Sequence, residues 1–88
     1  MNTAWQMVWV DSAEKDFLHL NHNQQSKISK HFTALLQNPF YGPQIKKLRG
    51  ELEGLYRYRV GGLRIIYRVL AREKTIRIVA LGTRGGIY

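Results

Sequence analysis

Apolar and polar residues alternate with a period of two from Leu55 to Val69, LYRYRVGGLRIIYRV. That is the pattern of strands with one apolar and one polar face. Gly61-Gly62 interrupts the alternation and predicts a two-residue hairpin turn, where positive φ favours glycine. With the turn there, Val60 faces Leu63, Arg59 faces Arg64, Tyr58 faces Ile65, Arg57 faces Ile66 and Tyr56 faces Tyr67. Directly opposed residues share a face. One face collects Tyr56, Tyr58, Val60, Leu63, Ile65, Tyr67 and Val69, which is a core face. The other collects Arg57, Arg59, Arg64, Arg68 and Ile66. A slip by one residue would bury the arginines, so the pattern selects this register.

The remaining pattern is simpler. Trp5 to Val10 is apolar and rich in strand formers, and predicts a first strand. Asp11 and Ser12 suit an N-cap and Glu14 and Asp16 a first turn, so a helix is expected over Ser12 to Leu20. Asn21-His22-Asn23 predicts a turn. A second helix is expected over Gln24 to Gln37, with Ile28, Phe32, Leu35 and Leu36 on one face and Asn38-Pro39 as its stop. Phe40 to Gly54 is a connector anchored by Ile45 and Leu48. After the hairpin, Ala71 to Lys74 predicts a turn and Thr75 to Leu81 a strand. Its expected faces are Ile76, Ile78 and Ala80 against Arg77, Val79 and Leu81. The order β-α-α-β-β-β predicts an α+β fold: a helical hairpin on one face of a mostly antiparallel sheet. Eighty-eight residues make one domain, 1–88, with a single modest core.

Charge changes this picture. Fourteen Lys and Arg against six Asp and Glu give a net charge of +8, which points to a polyanionic partner, either nucleic acid or an acidic protein. The acids lie in the first helix (Asp11, Glu14, Asp16), the connector (Glu51, Glu53) and a turn (Glu73), with none on a predicted strand. Arg59 and Arg64 therefore oppose each other with no carboxylate in the hairpin, which is locally destabilising. A solvated basic face is one reading. An anion site for several phosphates is the other, and four arginines favour it, because the planar guanidinium fork matches phosphate oxygens.

Other chemistry is thin. Without cysteine there is no disulfide, thiolate site or Cys nucleophile, which fits a cytoplasmic protein. No apolar run approaches the ~20 residues that span a membrane, and no secretory signal is evident. His19, His22 and His31 fall in the helical hairpin, away from the arginines, with His19 and His31 expected on helix surfaces. No His or carboxylate cluster has metal-ligand spacing, so neither metal nor cofactor is expected. Trp5 and Trp9 are expected to pack.

From Lys47 onward the chain resembles the RelE/ParE superfamily of bacterial toxins from type II toxin–antitoxin modules. The resemblance rests on Lys47-Leu48-Arg49-Gly50, Tyr56-Arg57-Tyr58-Arg59-Val60, Gly62-Leu63-Arg64-Ile65-Ile66-Tyr67, and Leu81-Gly82-Thr83-Arg84 with Ile87-Tyr88. The upstream elements are similar in order and length. The resemblance implies a RelE-like fold. For the RelE branch it implies a ribosome-dependent mRNA endonuclease that cuts A-site codons without a metal, by attack of a ribose 2′-OH on the adjacent phosphate. By position, Arg57, Arg59, Arg64, Arg84 and Tyr88 match that branch's catalytic set. Lys46, Lys47, Arg49, Arg68 and Arg77 are the further basic residues expected to hold RNA. The implied partners are a cognate antitoxin, the ribosome and mRNA, with no membrane. The alternatives are a ParE-type toxin that inhibits DNA gyrase, and an inactive basic domain that docks an acidic protein. This chain has Thr83 where many relatives have His, and Gly85-Gly86 where they have a more polar pair.

Overall fold

The computed structural model describes residues 5–83. Its elements are β1 (Gln6–Trp9), α1 (Asp11–Leu18), α2 (His22–Ser29), α3 (Phe32–Gln37), β2 (Ile45–Lys47), β3 (Leu55–Val60), β4 (Leu63–Leu70) and β5 (Thr75–Thr83). The fold is α+β. The strands form one sheet in the order β1-β5-β4-β3-β2. β1 runs parallel to β5, and every other pair is antiparallel. Among the described residues no helix is long and apolar enough to cross a membrane.

The hairpin has the register expected from its alternation, from Val60 opposite Leu63 to Tyr56 opposite Tyr67. At its turn only Gly61 takes a positive φ, 60°. One left-handed residue at the first central position is the arrangement of a type II′ turn.

Helices cover one face of the sheet. Ala13, Ile28 and Leu35 pack there against Tyr58, Ile65, Tyr67, Ile76, Ile78 and Leu81. Each large apolar side chain fully buried here contributes about 1.5–3 kcal/mol relative to exposure. Trp9 meets Phe17 and Phe32 edge-on, each at 5.6 Å between ring centres, and Tyr56 stacks on Tyr67 at 5.6 Å. The buried hydroxyls have partners. Tyr67 donates to the Pro39 carbonyl at 2.8 Å, and Tyr58 shares a hydrogen bond of 2.8 Å with His31 Nδ1. Burial, with Tyr56 and Tyr58 nearby, pushes the Tyr67 hydroxyl pKa well above its ordinary value. Burial also raises that of Tyr58.

Several expectations need correction. The first helix begins at Asp11, with Val10 at its N-cap and no side-chain cap bond. Asn21 is not merely a turn residue: it forms a reciprocal capping box with Gln24, so the next helix starts at His22. The expected long second helix is divided. At His31 the backbone tightens, the His31 amide donating to the Ile28 carbonyl three residues back. The His31 ring sits half-buried against Tyr58 rather than on the helix surface. The connector, finally, contributes β2, which pairs with β3 and forms the sheet edge.

The last strand departs furthest from its expected pattern. Tyr67 pairs with Ile78, but Ile66 pairs with Ala80, so Val79 is an extra residue and β5 carries a bulge. Beyond it the alternation is inverted. Leu81, not Ala80, turns into the helix-side core, and Ala80 joins Leu55 and Ile66 on the other face.

Candidate functional site

The face without helices is built in rungs across the sheet. At the hairpin end Arg59 opposes Arg64, and Arg64 opposes Gly82. On the next rung Lys46 opposes Arg57, Arg57 opposes Ile66, and Ile66 opposes Ala80. On the third Leu55 opposes Arg68 and Arg68 opposes Arg77, with Val8 beside it. Residues two apart on one strand are about 6.6–6.8 Å apart. Lys46, Arg57, Arg59 and Arg64 therefore form one compact basic group.

The second and third rungs are partly apolar. Leu55, Ile66 and Ala80 are buried there, packed by Leu48, Leu52 and Val79. A 3₁₀ turn at Gly50–Leu52 in the connector supplies Leu52. Arg68 and Arg77 share the open face but stand on the far side of this cluster, apart from the first group. The Arg68 guanidinium crosses Gly54 so closely that a Cβ there would lie 2.8 Å from Arg68 Nη1. Gly54 also has φ 94°, and that left-handed backbone is what favours glycine there, since the exposed Arg68 side chain could move aside. Lys47 opposes Tyr56 and so belongs to the helix side of the sheet. Arg49 lies in the connector, just before the 3₁₀ turn. Arg84 and Tyr88 lie outside the described residues.

Among the described residues no carboxylate stands on the strands of the compact group. Arg57 is half-buried. Its pKa is lowered first by burial and then by the positive charges of Arg59 and Arg64. It remains a cation, since arginine titrates far above neutrality. Arg57 Nε is buried and has no hydrogen-bond partner among the described residues. A buried donor without an acceptor is a standing cost of about 1–3 kcal/mol. Gly82 and Ala80 add almost no height to the strand beside Arg64 and Ile66, so the guanidinium groups border a low floor. The arrangement can hold more than one phosphate and can stabilise a phosphate gaining charge.

A connection not evident in the sequence ties this face to the helices. The Leu81 amide donates to Asp16 Oδ2 at 3.2 Å, joining α1 to the end of β5. The two residues are too far apart along the chain for any local pattern to link them.

A family model described as the ParE toxin of type II toxin–antitoxin systems matches residues 7–88. The chain belongs to that family. No curated protein matches it. Among solved structures, the toxin is similar to a chain of a RelBE toxin–antitoxin complex from Mycobacterium tuberculosis. That match has 24% identity and a TM-score of 0.83, and covers 92% of this chain and 99% of that one. A chain of the Escherichia coli RelBE complex matches with 21% identity and a TM-score of 0.77, covering 93% and 99%. One from the archaeal RelE–RelB complex of Pyrococcus horikoshii matches with 27% identity and a TM-score of 0.74, covering 92% and 96%. The toxin thus has the RelE-like fold, within a RelE/ParE superfamily that the family model and the folds identify together.

Proposed function

We propose that this toxin is a ribosome-dependent mRNA endonuclease that cleaves codons in the ribosomal A site and so stops translation. The observation that carries the reading is the group of Lys46, Arg57, Arg59 and Arg64 on one face of strands that carry no carboxylate among the described residues. The ribose 2′-oxygen attacks the adjacent phosphorus, the bond to the 5′-oxygen breaks, and the products are a 2′,3′-cyclic phosphate and a 5′-hydroxyl. Arg57, Arg59, Arg64 and Arg84 stabilise the charge that gathers on the phosphorane oxygens, which is the term fixed donors serve best. They are poor proton carriers. Tyr88 is assigned the 2′-hydroxyl proton, the role that the family resemblance gives it, and water supplies the proton taken up by the 5′-oxygen. Lys46 extends the group along its rung, and Lys47, Arg49, Arg68 and Arg77 serve flanking RNA. The step uses no metal or cofactor.

The three solved relatives described above are chains of toxin–antitoxin complexes. A cognate antitoxin is accordingly the assigned protein partner, its acidic side chains complementary to the open face. The test of the nuclease is primer extension in a purified translation system, with wild type beside Arg64→Ala and Arg84→Ala. Cuts within A-site codons that vanish in both variants are expected. Absence of cuts with folded wild type would overturn the nuclease.

The ParE description of the family model favours a second reading, inhibition of DNA gyrase by binding. It predicts loss of gyrase supercoiling at stoichiometric toxin and no RNA cleavage.

A further inference from the structure

We propose that Asp16 is a positioning residue that locks β5 in its bulged register and thereby keeps the arginine group open to RNA. β1 accompanies only the first part of β5. Its partners end at Ile78, and the next backbone bond is the Val10 amide to the Ile78 carbonyl, 3.1 Å. From Val79 onward the edge of β5 away from β4 has no strand beside it among the described residues. The bulge at Val79 advances the alternation by one residue, so Leu81 repeats the orientation of Ile78. Its side chain enters the core and its amide points to the bare edge. Asp16, half-buried on α1, accepts that amide at 3.2 Å. The carboxylate thus takes the place that a longer β1 would have filled.

The competing register shows what the lock is for. Without the bulge, pairing would continue from Tyr67 and Ile78 to place Val79 opposite Ile66 and Leu81 opposite Arg64. A leucine side chain would then rise beside Arg64, on the face the anion must approach. With the bulge, Ala80 and Gly82, the two smallest residues of the strand's end, take those places. A one-residue slip exchanges the two faces of a strand, and here it would exchange an open floor for an obstructed one. Asp16 makes its bond to an amide that only the bulged register directs outward. It touches no RNA and acts through β5.

The functional half of the proposal rests on RNA being what the arginine face binds; the structural half does not. The experiment measures two quantities without turnover on full-length protein. These are hydrogen exchange of the Leu81 amide and the affinity for a short single-stranded RNA oligonucleotide. Asp16→Ala is expected to lose about tenfold or more of Leu81 protection and to weaken RNA binding by a similar factor, the loss of one hydrogen bond to a charged acceptor. Asp16→Asn keeps a carbonyl oxygen at the same position and is expected within about threefold of wild type in both. Wild-type protection of Leu81 in Asp16→Ala would overturn the lock. Loss of protection with unchanged RNA affinity would overturn its role in keeping the face open. Equal damage in Asp16→Asn and Asp16→Ala would make charge, not the hydrogen bond, the cause, and overturn the proposal as stated. Wild type that binds RNA yet cleaves no A-site codon would sink the nuclease reading and leave this one standing.

Discussion

The two faces of this sheet are made by the same strands and obey opposite rules. On the helix side every large group fits: Ile65, Tyr67, Ile76 and Ile78 are fully buried, and both buried tyrosine hydroxyls are hydrogen-bonded. On the open side Arg59 stands opposite Arg64, and Arg57 keeps a buried Nε without a partner among the described residues. One face stabilises the fold, and the other holds like charges together at some cost to it. In a chain this short the division is sharp, because only one core is available to offset the repulsion.

Variants should separate the faces. The largest expected effect is on the helix side: Ile78→Ala should lower unfolding free energy by about 2–5 kcal/mol in urea titration, through lost burial and the cavity left behind. Next is Arg64→Ala, which should lower A-site cleavage by about 100-fold or more while leaving the unfolding midpoint no lower than wild type. A midpoint that fell with activity would erase the proposed difference between the faces. Tyr67→Phe should cost about 1–3 kcal/mol by leaving the buried Pro39 carbonyl unpaired, with cleavage intact in the folded fraction. Its pH dependence gives a finer check. The Tyr67 hydroxyl pKa is raised in the folded protein, first by burial. Its contribution is therefore complete below the unfolded value near pH ~10 and is lost as pH rises above it, because the unfolded chain ionises first. Alkaline melting curves should show that decline in wild type and less of it in Tyr67→Phe. The smallest effect is a gain: Arg59→Gln should raise stability by about 0.2–1 kcal/mol by removing a like charge opposite Arg64, while reducing cleavage.

How much of this was legible depended on whether the deciding contact was local. The hairpin was legible because alternation and a Gly61-Gly62 turn agree and any slip buries arginine. β2 was not: it has three residues, two of them lysine, and becomes a strand only by pairing with Tyr56, Arg57 and Tyr58. Lys46 therefore joined the arginine rung only in three dimensions, while Lys47, its neighbour, went to the other side. The division of the second helix left no trace, since neither Lys30 nor His31 is a helix breaker, and His31 finds its partner on β3. The bulge was hidden as well. Ile76, Ile78 and Ala80 continue a plausible core pattern, and only the fit to β4 and the Asp16 bond invert it at Leu81.

The parallel pairing of β1 with β5 has a consequence in time. β1 precedes the other strands in the chain, yet among the described residues its one neighbour in the sheet is β5, the strand furthest from it in sequence. Until β5 emerges, Trp9 and Met7 have no sheet to join, and Leu35 and Ile28 lack half of the wall they pack against. Such first-to-last contacts carry the largest loop-closure cost and slow folding. A growing chain is therefore held unfinished until the strand that carries Gly82 exists, so the open face and the fold that supports it are completed in the same event.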